Sequence, residues 1–149
     1  MIRLVYNNID QAADFNCSNE TGTDVSRPIE TAILLSLFCD ARAGVTQVRD
    51  GEDRRGWWAD SFADNDTWGS RLWMIESMKQ DKATLRFARE EADRALQWMI
   101  ADGVARSLEI ETWWLDGRLG YLGILVRVFA PQDPAPQLAG PWEVYYAVD

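Results

Sequence analysis

Arginine, tryptophan and aspartate are concentrated in one short segment, residues 53–60, which reads Asp-Arg-Arg-Gly-Trp-Trp-Ala-Asp. Residues 69–73 follow closely and add a further arginine and tryptophan. A guanidinium can donate two parallel hydrogen bonds to a carboxylate while a tryptophan ring stacks on it. Arginine and tryptophan are also enriched at protein–protein binding hot spots. The segment therefore predicts either an internal clasp that shapes a loop or an interface with another protein.

The two roles can be divided within this segment. Gly56 allows the sharp bend that would bring the arginines and carboxylates together. Adjacent tryptophans tend to point in different directions, so at least one of Trp57 and Trp58 is predicted to face a neighbouring protein. We expect the arginines mainly to hold the shape of the loop. The candidate interface or clasp residues are Asp53, Arg54, Arg55, Trp57, Trp58, Asp60, Arg71 and Trp73.

Carboxylates near tryptophans also raise the possibility of a glycoside hydrolase. Asp53, Asp60 and Glu76 could supply the paired acids of such an enzyme, with aromatic rings lining a sugar site. No spacing rule identifies an acid pair of this kind in a sequence. Surface or ion-paired carboxylates are therefore the simpler interpretation.

Other catalytic and metal chemistry is poorly supported. The chain contains no histidine, which excludes Ser-His-Asp and Cys-His nucleophile systems and HExxH zinc sites. Residues 64–66 resemble part of a calcium loop but lack the glycine and distal glutamate of an EF-hand. Cys17 and Cys39 have no basic neighbour arranged to activate a thiolate and are predicted to be inert free thiols. We therefore expect no catalytic residue, metal or cofactor.

Composition limits the class of protein. The chain has 149 residues, which suits one domain, and 15 basic against 24 acidic residues give a net charge of −9. An acidic balance opposes binding to phosphate backbones, so no nucleic-acid partner is expected. There is no apolar run long enough to span a membrane and the start lacks signal-peptide features, so we expect synthesis in the cytoplasm.

The helices are predicted from apolar periodicity. One helix is expected from about residue 28 to residue 40, with Ser26 as its N-cap. A short helix is expected over 70–78. The clearest helix runs over 82–101 with Asp81 as N-cap and Gly103 as the residue after its end. Its apolar stripe consists of Leu85, Ala88, Ala92, Ala95 and Met99, widened by Leu96 and Ile100.

Strands are predicted over 1–6, 104–114, 119–129 and 142–148. A three-residue loop at 115–117, with Gly117 at positive φ, would keep one face of the central hairpin apolar. That register places Leu108 opposite Ile124, Ile110 opposite Leu122, Glu109 opposite Gly123 and Glu111 opposite Tyr121.

The predicted fold is a single α+β domain over 1–149. It has two to three helices on a small antiparallel sheet of three to four strands, with a less regular segment at 1–26 and a Pro-rich loop at 131–141. A long loop at 41–70 joins the first two helices. A loop of this length in a compact domain is usually either functional or disordered. The aromatic residues in this loop argue against disorder, so we expect it to be ordered.

The order of motifs resembles a known family, the small Mu-type tail proteins of contractile phage baseplates. The resemblance covers about residues 27–130 and is carried by five motifs, of which the second and third together are specific. Ala59 stands where the family suggests glycine, and Cys39 where it suggests threonine. The motifs lie at residues 31–40, 53–60, 69–73, 95–99 and 102–105.

The resemblance implies a structural baseplate wedge subunit, similar to the wedge protein of T4-like phages that carries a lysozyme label and to its type VI secretion counterpart. Such a subunit, present in multiple copies in the virion tail, would link other wedge proteins around the tail tube to the start of the sheath, with tube or hub proteins as further neighbours. The lysozyme label leaves a tail-associated peptidoglycan hydrolase as the alternative. A soluble regulatory binding module is a third class.

Overall fold

The computed structural model describes residues 2–7, 12–17, 26–62, 67–115, 120–131 and 137–147. These residues form an α+β fold, which confirms the predicted fold class. The strands are β1 (Ile2–Asn7), β2 (Ala12–Cys17), β3 (Ser107–Trp114), β4 (Tyr121–Phe129) and β5 (Gln137–Ala147). The helices are α1 (Ser26–Phe38), α2 (Lys82–Leu96) and α3 (Trp98–Ala101), and the 3₁₀ helices Trp58–Phe62 and Leu72–Ser77 lie between α1 and α2.

The core lies between the helices and the sheet formed by β3, β4 and β5. These strands are antiparallel in that order, and β1 pairs with β2 in a separate antiparallel sheet. The central strand β4 is paired along both edges, and most of its side chains are buried. The fully buried large side chains of the core include Ile33, Leu37, Leu72, Ile75, Leu96, Met99, Leu122, Ile124, Val126 and Val128.

The predicted register of the central hairpin is wrong, although its apolar face is right. Leu108 pairs with Val128 instead of Ile124, a shift of 128 − 124 = 4 residues. A shift by an even number leaves every side chain on its predicted face, because side chains alternate along a strand. Glu109 consequently lies opposite Arg127, and Glu111 lies opposite Leu125.

A longer loop and one crowded contact explain this register. Leu115 N donates to Tyr121 O at 3.0 Å, and Gly120 has a positive φ of 85° at the start of β4. The register also sets Trp113 opposite Gly123, where a Cβ atom would lie 2.3 Å from the indole Cε2. Only glycine leaves room for the tryptophan ring at this position.

The long predicted helix over 82–101 is divided at Gln97 into α2 and α3. Asp81 caps α2 as predicted, and its Oδ1 accepts hydrogen bonds from the backbone N–H groups of Ala83 and Thr84, each at 2.9 Å. These bonds lower the pKa of Asp81 below its ordinary value. Ala88, Ala92 and Ala95 of the predicted stripe are buried along α2 and Leu85 is partly buried. Ile100 in α3 is 36% exposed instead of widening the stripe.

Four other elements differ from the sequence prediction. The short helix expected over 70–78 is the 3₁₀ helix Leu72–Ser77, in which Met78 N donates to Ile75 O three residues earlier. β5 begins at Gln137, so residues 137–141 extend the strand into the predicted Pro-rich loop. β2 lies in the segment predicted to be less regular, and α1 ends at Phe38, two residues before the expected end.

Candidate functional site

The chain between α1 and the second 3₁₀ helix leaves the body of the protein and returns to the place where it left. Asp40 and Ser70 form an isolated parallel bridge, in which Ser70 N donates to Cys39 O and Ala41 N donates to Ser70 O. The buried Ser70 hydroxyl also donates to Leu37 O at 2.5 Å. We call the chain between the two bridged residues, 41–69, the excursion. It corresponds to the predicted long loop at 41–70.

The closing point of the excursion requires glycine. Gly69 has a positive φ of 89°, a conformation that L-residues with a side chain rarely adopt. A Cβ atom there would lie 2.2 Å from the backbone oxygen of Cys39. Gly56 is similarly constrained, with φ of 109° and a virtual Cβ 2.7 Å from the Cβ of Arg42.

Arg55 connects the excursion to the body of the protein. Its Nη1 donates to Asp40 Oδ2 at 3.0 Å, and its Nη2 donates to Glu76 Oε2 at 3.1 Å. The guanidinium carbon also lies 4.6 Å from the centre of the Trp73 ring, within the range of cation–π attraction. We call these four side chains the Arg55 clasp. Burial by itself lowers the pKa of the Arg55 guanidinium, but the hydrogen bonds and charges of Asp40 and Glu76 outweigh the effect of burial and raise this pKa.

Hydrogen bonds within the same chain also fix the neighbours of Arg55. Arg54 and Ala43 are joined by a backbone hydrogen bond of 2.9 Å, and Arg54 Nε donates to Ala43 O at 2.8 Å. Asp53 Oδ1 accepts from the backbone N–H of Arg55 at 2.9 Å, which supports the positive φ of 48° at that residue. The buried Trp73 donates its indole N–H to Ala41 O at 3.0 Å.

Arg71 belongs to a second, more buried cluster around Glu91 of α2. Glu91 is only 4% exposed and pairs with Arg71, which contacts both carboxylate oxygens, and with Arg94 at 2.9 Å. We call these three residues the Glu91 cluster. Burial raises the pKa of Glu91, but hydrogen bonds from the two arginines outweigh burial and lower it below the ordinary value of 4.5.

Glu91 was not among the residues predicted from the sequence. The available signal was its position three residues after Ala88, on the stripe that packs against the core. A charged residue there needs a partner because a buried unpaired carboxylate is strongly disfavoured. Arg94 lies one turn after Glu90 but pairs with Glu91, while the Glu90 carboxylate lies 3.9 Å from Arg86 Nε.

The excursion also exposes a group of aromatic rings. Trp57 and Trp58 lie 5.9 Å apart between ring centroids, Trp57 and Trp68 lie 6.1 Å apart, and Trp58 meets Phe62 edge-on at 6.0 Å. Their exposed fractions are 46%, 72%, 82% and 36% for Trp57, Trp58, Phe62 and Trp68. We call these four side chains the aromatic surface. The sequence prediction included the first two as site residues and omitted Phe62 and Trp68.

The carboxylates considered as a hydrolase pair have structural partners. Asp53 accepts from Arg55, Asp60 Oδ1 accepts from the backbone N–H of Trp68 at 3.2 Å, and Glu76 belongs to the Arg55 clasp. The calcium-like residues 64–66 lie outside the described residues. No group of potential metal ligands occurs within the described parts of the chain, and no described helix has the length and apolarity to cross a membrane.

The free thiol of Cys39 is half-buried beside the Asp40–Ser70 bridge. The side chain of Cys17 lies outside the described residues. Trp113 and Trp114 are adjacent in β3, so their side chains point to opposite faces of the sheet. Trp114 donates its indole N–H to Asp81 O at 3.3 Å, and Trp113 meets Tyr145 edge-on at 6.5 Å.

Comparison with known proteins decides the family. Residues 29–135 match the family model described as Phage protein GP46. The chain belongs to this family. It is 35% identical over 105 residues to the baseplate protein gp46 of Escherichia phage Mu, covering 69% of this chain and 70% of that protein. It is also 40% identical over 82 residues to the Mu-like prophage FluMu protein gp46 of Haemophilus influenzae, an alignment that spans 55% of each chain.

The matched region of this GP46 family member contains all three groups of side chains described above. The Arg55 clasp, the Glu91 cluster and the aromatic surface lie between residues 29 and 135, whereas β1, β2 and β5 lie outside it. The resemblance to Mu-type tail proteins, stated above from five motifs, is thereby confirmed.

Proposed function

We propose that this protein is a non-enzymatic structural subunit of a contractile phage tail baseplate, located in the virion tail. The aromatic surface carries the proposal. Four large rings stand together at the surface, and large exposed apolar patches mark interaction sites in soluble proteins. The naming of the phage Mu relative as a baseplate protein supports the same assignment.

Within this proposal the excursion has two functional sides. The inner side is formed by Arg54 and Arg55, with Arg71 just after the excursion, and these arginines bond to backbone oxygens and carboxylates of the same chain. Trp57 and Trp58 form the outer side: they expose 46% and 72% of their surface and contact other aromatic rings of the excursion. The inner side shapes the loop, and the outer side contacts a neighbouring baseplate protein, with other wedge proteins, sheath and tube or hub proteins as the candidate neighbours.

A matched pair of tryptophan substitutions tests this division. Trp58→Ala removes a ring that is 72% exposed, so the free energy of unfolding should change by no more than about 0.5 kcal/mol. Trp73→Ala removes a ring that is 8% exposed and hydrogen-bonded, and should cost about 3–5 kcal/mol. Denaturant titration of the purified chains measures both values.

The functional readout is baseplate assembly. In a phage deleted for this gene and complemented with each variant, Trp58→Ala is expected to give a stable protein but few intact tails by electron microscopy. Normal tails with Trp58→Ala would contradict an interface at the aromatic surface. Absence of the wild-type chain from purified virions would contradict the proposed function itself.

A further inference from the structure

A cavity lies between α1, the end of the excursion and the α2–α3 junction. Its volume is about 540 Å³, within the range of ligand pockets in proteins. The indole rings of Trp68 and Trp98 line it, and Trp68 also belongs to the aromatic surface. A protein that binds the aromatic surface can therefore place a side chain in this cavity.

Hydrogen bonds within the chain hold two of the polar side chains that line the cavity. Ser36 Oγ accepts from the Trp98 indole N–H at 3.0 Å. Arg94 donates to Glu91 Oε2 from Nε at 3.1 Å and from Nη2 at 2.9 Å. These bonds fix the positions of the Ser36 hydroxyl and the Arg94 guanidinium at the cavity wall.

Both side chains keep a donor that is not used within the part of the chain that the structure describes. Ser36 is only 2% exposed, and its hydroxyl accepts one hydrogen bond but donates none to a described group. Arg94 bonds through Nε and Nη2, whereas its Nη1 bonds to no described group. Donors at buried or half-buried positions are normally paired. An acceptor supplied from outside the chain would pair both.

The Glu91 cluster determines the charge of that acceptor. Two guanidinium groups share one carboxylate, so one positive charge of the cluster is not balanced within it. Arg94 is the member that lines the cavity, and its side chain is more exposed than that of Arg71, 36% against 23%. An anionic acceptor would balance this charge.

Two further carboxylates limit how much negative charge the cavity can take. Asp102 lines its exposed rim, where water screens the charge, and Asp60 accepts from the backbone N–H of Trp68. Each would repel an occupant that carries several negative charges. A single negative charge held at the Arg94 side of the cavity is the best match, which favours a carboxylate over a phosphate group.

We propose that this cavity binds one carboxylate of a neighbouring tail protein, from an aspartate or glutamate in an otherwise apolar segment; this rests on the function proposed above. Arg94 and Ser36 are the donors to its two oxygens. Arginine forms strong charge-assisted hydrogen bonds with carboxylates. The indole rings of Trp68 and Trp98 cover the apolar groups next to the carboxylate.

Titration of the isolated full-length chain with phenylacetate tests the chemistry of the site. Phenylacetate carries one carboxylate beside an apolar ring, and phenylacetamide replaces that carboxylate by a neutral amide of the same shape. Nuclear magnetic resonance follows the Arg94 Nε–H and Trp98 indole N–H signals of the ¹⁵N-labelled chain. We expect saturable shifts with phenylacetate and a dissociation constant at least about tenfold larger for phenylacetamide. No saturable shift, or equal binding of both probes, would overturn the proposal.

A matched pair of arginine substitutions locates the binding. Arg94→Gln leaves Glu91 paired with Arg71 and should weaken phenylacetate binding at least about tenfold, measured at the Trp98 indole signal. Arg89→Gln removes an exposed arginine of the same helix outside this cavity and should leave the dissociation constant unchanged. Equal weakening by both would show a general effect of charge and overturn the site. The comparison of the two probes on the wild-type chain decides the question even if Arg94→Gln does not fold.

Tail assembly tests whether the carboxylate belongs to a neighbouring protein. In a phage deleted for this gene and complemented with each variant, Arg94→Gln should give at least about tenfold fewer intact tails than Arg89→Gln, the effect of removing a hot-spot contact. Normal tails with Arg94→Gln would overturn the assignment to a tail partner, even where phenylacetate binds. Absence of the wild-type chain from virions would overturn the proposed function, and the titration of the isolated chain does not depend on that result.

Discussion

At the scale of single residues, Glu91 is the one residue with a charged side chain that is buried among the described residues. It is almost fully buried and is shared by two arginines, one at the return of the excursion and one on its own helix. A buried charge is tolerated only when its partners are in place, and removing one member leaves the others uncompensated. Glu91 therefore connects the end of the excursion to α2.

Replacing Glu91 by glutamine should destabilise the protein by about 2–3 kcal/mol at neutral pH. Glutamine keeps the shape but leaves Arg71 and Arg94 without their shared negative charge. The control is Glu90→Gln, whose side chain is 69% exposed and 3.9 Å from Arg86, and which should cost less than about 0.5 kcal/mol. Equal effects of the two substitutions in denaturant titrations would show that burial of Glu91 is energetically unimportant.

The same residue makes part of the stability dependent on pH. The pKa of Glu91 is lower in the folded protein than its ordinary value of 4.5, so the folded state favours the ionised form. The stabilisation is complete above the ordinary value and is lost as the pH falls through the folded-state pKa. The difference in unfolding free energy between wild type and Glu91→Gln should thus be constant from about pH 6 to pH 7 and shrink below about pH 4. A difference that grows on acidification would contradict this sign.

At the scale of elements, the contact between Trp113 and Gly123 determines how β3 and β4 fit together. Gly123→Ala should cost about 2 kcal/mol, because the new methyl group would lie within 2.3 Å of the indole. In a Trp113→Val background the same change should cost close to nothing, since the ring is gone. A double-mutant cycle measures this coupling, and additive effects would rule out the steric explanation.

The spacing of apolar residues was sufficient to predict most helices and strands, but not the pairing register of β3 and β4 or the break between α2 and α3. The stripe of α2 and its Asp81 cap follow directly from residue spacing, and the faces of β3 and β4 follow from alternation. The register depends on the length of the loop and on the Trp113–Gly123 contact, which is not local in the sequence. The break at Gln97 has no proline or glycine to indicate it, and Gln97 itself keeps right-handed helical angles (φ −58°, ψ −28°).

At the scale of the whole molecule, the Arg55 clasp fixes a long excursion to the folded body. Arg55→Asn removes the guanidinium fork while keeping a residue that tolerates positive φ. Because the ion pairs are more than one-third exposed, the global stability should fall by no more than about 1 kcal/mol, but the excursion should open more often.

Limited digestion with chymotrypsin measures this opening, since the enzyme cleaves after the exposed aromatic residues of the excursion and not after arginine. Cleavage within 57–68 should be several-fold faster in Arg55→Asn, with a nearly unchanged thermal midpoint. The control Arg49→Asn removes an arginine that is 91% exposed and only loosely paired, and should leave the rate unchanged. Equal cleavage rates in both variants would show that the clasp does not hold the excursion.

The composition of the site could be predicted from sequence better than its geometry. The arginines and tryptophans of 53–73 were recognisable because their residue types are unusual together. Their separation into an inner and an outer side depends on Asp40 and Glu76, which lie 15 and 21 residues from Arg55 and carry no local signal. Glu91 was missed because an acidic residue on a helix is ordinarily solvated.

The parallel bridge between Asp40 and Ser70 gives the excursion the properties of an exchangeable cassette. Its two ends are joined to each other by backbone hydrogen bonds, so the stretch beyond the Ala41 and Arg55 contacts can change without altering where the chain leaves and re-enters the body. The entropic cost of closing a loop grows only slowly with its length, so the cassette can lengthen, shorten or change composition at small cost. If the proposed function holds, a related protein could therefore acquire a different neighbour by exchanging one contiguous stretch of about thirty residues, and an engineer could redirect the subunit by grafting the same stretch.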